Sequence, residues 1–159
     1  LIYGAAGTGK TTLIKHLTYF YNNEKKICLA NTNSAVENLK SNVKNQNSNF
    51  MTVHKFISES NNDTECDILI IDECSIISNS DMRQILEKAH FSAILLAGDI
   101  YQIESITFGN WFTLSKKLVK QTSVFELNFT WRSTKQELLD LWELVRNGED
   151  RVDEMLVKK

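Results

Sequence analysis

The sequence predicts an α/β domain, with a mainly parallel β-sheet flanked by helices in three layers. Three observations lead there. Several short runs, such as Ile68-Ile71 and Ser92-Ala97, are apolar along most of their length rather than at alternate positions, the composition of strands buried on both faces. Those runs alternate with segments of helical periodicity, as strand–helix–strand units do. Residues 1–13 read as the end of a strand, a glycine-rich turn and the start of a helix.

In order, residues 11–21 carry Leu13, Ile14, Leu17 and Phe20 at helical spacing and predict the first helix, ended by Asn22-Asn23-Glu24. Lys26-Ile27-Cys28-Leu29-Ala30-Asn31 predicts a buried parallel strand. A helix from Ser34 places Ala35, Val36 and Leu39 on one face, with Ser34 and Glu37 patterned as a capping box. The asparagine-rich residues 42–49 predict a loop, residues 50–57 a further short element, and residues 59–65 a polar loop. The strongest strand signal is the run of residues 66–73, which ends on two carboxylates. A helix follows over residues 81–89, with Ser80 or Asn79 as its cap. Residues 92–99 predict a buried strand that ends on an acid. A helix over residues 111–119, a strand over residues 124–129 and a helix over residues 134–145 complete the chain. No proline interrupts any of them.

The 159 residues suit one domain with a substantial core, and 42% hydrophobic with 24% charged residues is ordinary globular composition. No apolar run reaches the roughly 20 residues of a membrane helix, and no signal-peptide pattern precedes the glycine-rich turn. An intracellular, cytoplasmic protein without a membrane partner is expected. Cys28, Cys66 and Cys74 lie in or beside apolar runs without metal-ligand spacing, so they read as reduced core thiols. A net charge of −2 gives no global basic field, which argues against a grip on nucleic acid by bulk electrostatics but not against a local track. Only Leu1, Ile2 and Tyr3 precede Gly4, and a phosphate loop ordinarily follows a complete strand, so a fragment of a larger protein is expected.

Gly4, Gly9, Lys10 and Thr11 satisfy the G-x-x-x-x-G-K-S/T phosphate-loop, or Walker A, pattern. In that pattern backbone amides of the turn wrap phosphate oxygens, the lysine reaches the β- and γ-phosphates, and the hydroxyl binds Mg²⁺. The expected nucleotide-binding set is Gly4, Ala5, Gly7, Thr8, Gly9, Lys10, Thr11 and Thr12. Asp72 and Glu73 would stand at the carboxyl end of a buried strand, the edge where open α/β sheets bind ligands. There an aspartate can hold Mg²⁺ and a glutamate can orient and deprotonate an attacking water. Gln102, four residues after Gly98, is carried to the same edge and suits a group that senses an intact triphosphate.

Together, Gly4 to Thr11, Asp72-Glu73 and Gly98-Asp99-x-x-Gln102 resemble motifs I, II and III of superfamily 1 DNA/RNA helicases of the UvrD/RecD-like type. Ala30-Asn31-Thr32-Asn33 resembles motif Ia, Thr52-Val53-His54-Lys55-Phe56 the T-x-H-x-hydrophobic segment, and Leu127-Asn128-Phe129-Thr130-Trp131-Arg132-Ser133 the motif IV region. Ile103-Glu104-Ser105 stands where this family often has Leu-Pro-Pro after the glutamine. The resemblance spans nearly the whole chain. It implies a first RecA-like domain of a two-domain motor, an ATPase with ATP and Mg²⁺ as cofactors and single-stranded DNA or RNA and a second RecA-like domain as partners. It further implies Lys10 and Thr11 on phosphate and Mg²⁺, Asp72 on Mg²⁺, Glu73 as the activator of water, and Gln102 and Arg132 on the γ-phosphate. Asn31, Thr32, Thr52 and His54 would face nucleic acid, with Trp111 as a stacking ring. Two other readings of the same motifs are a phosphate-loop NTPase of a nuclease- or restriction-associated system, and a nucleotide-binding switch. The paired acids Asp72 and Glu73 argue against a pure switch.

Overall fold

The computed structural model describes residues 1–43, 47–59, 64–99 and 110–131. The elements are β1 (Ile2–Gly4), α1 (Lys10–Phe20), β2 (Lys26–Ala30), α2 (Asn33–Asn42), β3 (Ser48–Thr52), α3 (Val53–Glu59), β4 (Thr64–Ile71), α4 (Asn79–Lys88), β5 (Ala89–Gly98), α5 (Trp111–Leu118) and β6 (Phe125–Leu127). A single 3₁₀ turn, Cys74–Ile76, lies between β4 and α4, and another, Gln121–Ser123, precedes β6. The strands form one six-stranded sheet in the order β3-β2-β4-β5-β1-β6. Every pairing is parallel.

Two apolar clusters cover the two faces of the sheet. On one, Ile14 of α1 and Val36 and Leu39 of α2 pack with Ile2, Cys28, Ala30, Ile70 and Ala97. On the other, Val53 and Phe56 of α3, Met82 and Ile85 of α4 and Phe112 of α5 pack with Tyr3, Ile27, Leu29, Leu69, Ile71 and Leu96. Successive residues from Ile27 to Ala30 in β2 and from Leu69 to Ile71 in β4 therefore serve opposite cores, which is why those stretches are apolar at every position. All five residues of β2 are buried. Although only three residues long, β1 is internal, pairing with β5 on one side and β6 on the other. The three-layer α/β expectation holds.

The boundaries differ in instructive ways. The run of residues 50–57 is two elements, a strand ending at Thr52 and a helix starting at Val53. The cap of α2 is Thr32, whose hydroxyl accepts the Ala35 amide (3.1 Å), rather than Ser34 in a capping box. The cap of α4 is Ser78, accepting the Asp81 amide (3.0 Å), rather than Asn79 or Ser80. In both cases the cap lies where extended backbone turns helical, one or two residues earlier than the periodicity suggests. Residue Ala89 begins β5 instead of ending α4, and β6 stops at Leu127. Phe20 falls on the predicted apolar stripe of α1 but is 79% exposed, in edge-to-face contact with Tyr21. Cys28, Cys66 and Cys74 are buried free thiols, as expected. Residues 134–145, predicted helical, lie outside the described residues. Among the described residues no helix is long and apolar enough to cross a membrane.

Candidate active site

Because all strands run parallel, Gly4, Ala30, Thr52, Ile71, Gly98 and Leu127 end at one edge of the sheet. The loop leaving β1 is shaped for an anion. Gly7 (φ 82°) and Gly9 (φ 92°) take left-handed backbone that side-chain-bearing residues rarely adopt. The Thr8 amide and hydroxyl both donate to the Ala5 carbonyl, at 3.3 and 2.8 Å, closing the turn. Gly9 is the N-cap of α1 and has no side chain to satisfy the helix's first amides, which are left as donors for a ligand. A Cβ at Gly4 would lie 2.5 Å from the Thr8 hydroxyl, so only glycine lets the loop fold back this tightly. Lys10 lays its ammonium along the loop, donating to the Gly4 and Ala5 carbonyls at 2.7 and 2.9 Å. Ala5 and Thr11 are half-buried, and Thr12 is exposed.

The second half of the site comes from the end of β4. Asp72 is buried, its amide donating to the Leu29 carbonyl of β2 (2.9 Å). One carboxylate oxygen accepts the Thr11 hydroxyl (3.2 Å), a contact between residues 61 apart in sequence. The other accepts the Glu73 amide (2.9 Å). Burial raises the Asp72 carboxyl above its ordinary range, opposed by the Glu73 amide, the Thr11 hydroxyl and the Lys10 charge. Burial raises Glu73 as well, reinforced by the neighbouring Asp72 and opposed by Lys10. An acid whose proton affinity is moved up toward neutrality is better suited to accept a proton than an ordinary surface carboxylate. Glu73 is also the one non-glycine residue at positive φ (56°) among the described residues.

Loop and acids line a single cleft of about 950 Å³, together with Gly98 and Asp99 from the end of β5. Three further residues of its lining were not singled out from the sequence: His16 of α1, Asn38 of α2 and Trp131 after β6. Trp131 donates its amide to the Gly7 carbonyl (3.0 Å), while its ring is 75% exposed and meets Phe129 edge-on at 4.8 Å. Its position next to Arg132 in the motif IV-like segment was the available signal. His16 and Asn38 had none, since they enter the cleft through the packing of α1 beside α2.

The other expected residues separate into groups. Gln102 and Arg132 lie outside the described residues. Asn31 and Thr32 follow β2, and Thr52 and His54 sit at the end of β3 and the start of α3; Ala30 and Thr52 are register partners, so the four are neighbours. Asn31, Thr32 and His54 are exposed. Both threonines serve as local caps: Thr32 takes the Ala35 amide, and Thr52 the Lys55 amide (3.2 Å). Trp111 lies elsewhere, at the start of α5, half-buried against the Phe112-containing core, with its indole N–H donating to the Ile77 carbonyl (2.8 Å).

Solved helicase structures share this fold. A Pif1 helicase described in DNA unwinding at forked double-stranded DNA superposes with a TM-score of 0.67 at 20% identity, over 96% of this chain and 45% of that one. Bacteroides Pif1 bound to single-stranded DNA gives 0.65 at 20% identity, over 96% and 43%. Bacteroides sp. Pif1 in complex with ADP-AlF₄ gives 0.59 at 21% identity, over 96% and 44%. The chain thus spans less than half the length of these relatives in fold. No curated protein sequence matches it. The AAA domain family matches residues 1–158, and the chain belongs to that family.

Proposed function

We propose that this chain is the ATP-binding and ATP-hydrolysing motor domain of a superfamily 1 helicase or translocase, coupling hydrolysis to movement on single-stranded DNA or RNA. One observation carries the reading: the Thr11 hydroxyl of the phosphate loop meets the Asp72 carboxylate at the end of β4 at 3.2 Å, both in the lining of the cleft. A hydroxyl and a carboxylate held together beside a phosphate loop are the donor set that Mg²⁺ requires. The residues therefore fit the metal, which would supply charge neutralisation at the β- and γ-phosphates.

The chain's own groups do the rest. The amides of residues 4–12 wrap the phosphates, the ammonium of Lys10 exchanges loop carbonyls for phosphate oxygens, and Thr11 and Asp72 orient the metal. Glu73 aligns a water for in-line attack on the γ-phosphorus and takes its proton. By resemblance, Gln102 and Arg132 contact the γ-phosphate. The exposed ring of Trp131, fixed by its amide to Gly7, offers a platform at the cleft for a nucleobase. Asn31, Thr32, Thr52 and His54, gathered at one end of β2 and β3, form the side that faces nucleic acid. A second RecA-like domain in the same polypeptide is the expected partner for movement, in a cytoplasmic, non-membrane setting.

The test is ATP hydrolysis by the full-length protein with and without single-stranded DNA and RNA. Stimulation by one of the strands is expected, and its identity assigns the track. Turnover indifferent to both would contradict the motor reading and favour an NTPase of another task.

A further inference from the structure

The turn that carries Glu73 is held from a distance by contacts to which the roles above assign nothing. Glu73 stands at φ 56°, ψ 37°. For a residue with a side chain this conformation is disfavoured, and it persists only where the surroundings over-determine it. Some of the restraint is local. The Cys74 thiol donates to the Ile71 carbonyl (3.1 Å), and the Ile76 and Ile77 amides donate to the Glu73 and Cys74 carbonyls, each at 3.2 Å. Those bonds close the turn on itself, and burial of Cys74 and Ile77 in the core seats it on the sheet.

A further, hydrogen-bonded anchor comes from α5, more than thirty residues further along. The Trp111 indole donates to the Ile77 carbonyl (2.8 Å), and the Trp111 amide donates to the Asn79 side-chain oxygen (3.1 Å). The Asn79 side-chain amide in turn donates to the Asn110 side-chain oxygen (3.3 Å). Trp111 itself is fixed by edge-to-face contact with Phe112 (5.6 Å), and Phe112 by Tyr3, whose ring lies 4.8 Å away and whose hydroxyl donates to the Phe112 carbonyl (3.0 Å). Tyr3 is the residue before Gly4. One chain of contacts therefore runs from the strand that feeds the phosphate loop, through the start of α5, to the turn that follows the acids.

We propose that Trp111 and Asn79 are positioning residues for hydrolysis: by clamping Ile77 and Asn79 they hold the turn that keeps Glu73 in its strained conformation and its carboxylate directed at the cleft. The inference rests on the reading of Glu73 as the base. If the contacts were only helix packing, their loss would lower stability and leave the chemistry per bound nucleotide unchanged.

The experiment is steady-state ATP hydrolysis and fluorescent-ATP binding by the full-length protein, comparing wild type, Trp111→Phe, Glu73→Gln and the double variant. Trp111→Phe keeps a smaller aromatic ring in the core and removes the indole N–H. Loss of one buried hydrogen bond that orients a catalytic group is expected to lower kcat by about tenfold, with KM and nucleotide affinity within about twofold. In the Glu73→Gln background the same change should leave the residual rate unaltered, because there is no base left to misplace. Asn79→Ala, which releases the Trp111 amide, should reproduce the pattern and serves if Trp111→Phe does not fold. An unchanged kcat, a parallel fall of kcat and affinity, or an equal loss in the Glu73→Gln background would each overturn the inference while leaving the base in place. A Glu73→Gln protein as active as wild type would instead remove the base, and the inference with it.

Discussion

Two stretches of the sheet's carboxyl edge use their polar residues in opposite ways. Around β1 and β4, polar groups reach across the fold: Thr11 to Asp72 spans 61 residues, and the carboxyls of Asp72 and Glu73 are raised by burial. Around β2 and β3, Thr32 and Thr52 bond amides three residues ahead, and Asn31 and His54 stand exposed. The first region assembles groups that local structure does not require. In the second, the threonines are already explained by the helices they start, so any contact with nucleic acid must be made in addition to capping. Helix N-termini that open toward a partner can do both, because a cap fixes amides and hydroxyls at the same surface.

Mutations separate the two regions. The largest expected effect is from Glu73→Gln, which should lower ATP turnover about 10²- to 10⁴-fold while fluorescent-ATP affinity is retained. Next, Lys10→Ala should weaken nucleotide binding by about tenfold or more, since the loop loses its one point charge, as titration with the same analogue would show. Thr32→Ala and Thr52→Ala should each lower stability by about 1 kcal/mol through loss of a cap, with Thr32→Ser restoring it and turnover at saturating ATP without nucleic acid unaffected; chemical denaturation reads the stability loss directly. A turnover loss in the cap variants comparable to that of Glu73→Gln would erase the distinction between the regions.

The smallest effect concerns pH. Burial raises Asp72 and Glu73 in the folded protein, so their contribution to stability is fully present below their unfolded values, near about pH 4, and is lost as pH rises through the folded values. Neutral replacements should consequently raise the thermal midpoint of the nucleotide-free protein at pH 7, and the gain should shrink as pH falls toward 4. A gain that grows on acidification would mean that the carboxylates are stabilised, not penalised, by their surroundings.

Much of this was legible in the sequence, for identifiable reasons. Gly4, Gly9, Lys10 and Thr11 stood out because the phosphate-loop pattern lies within one local segment, and the structure places them where β1 turns into α1. Asp72 and Glu73 were readable because the apolar run before them could only be a buried strand. The order β3-β2-β4-β5-β1-β6 was not legible, since it depends on pairings between distant segments. Thr32 was passed over as the α2 cap because Thr32, Asn33 and Ser34 are all capable of capping, and the choice among them is made by the backbone's exit from β2. Trp111 was read as a stacking ring on residue type alone; its bond to Ile77 depends on how α5 docks, which no local pattern encodes.

The proposed function requires that the phosphate loop and the acids after β4 form one hydrolytic centre. The most direct test is a double-mutant cycle between Thr11→Ala and Asp72→Asn, read as single-turnover ATP hydrolysis. If the two hold one metal together, each substitution should be severe and the double variant hardly worse than either alone. Losses that simply multiply in the double variant would show two independent sites and contradict the claim.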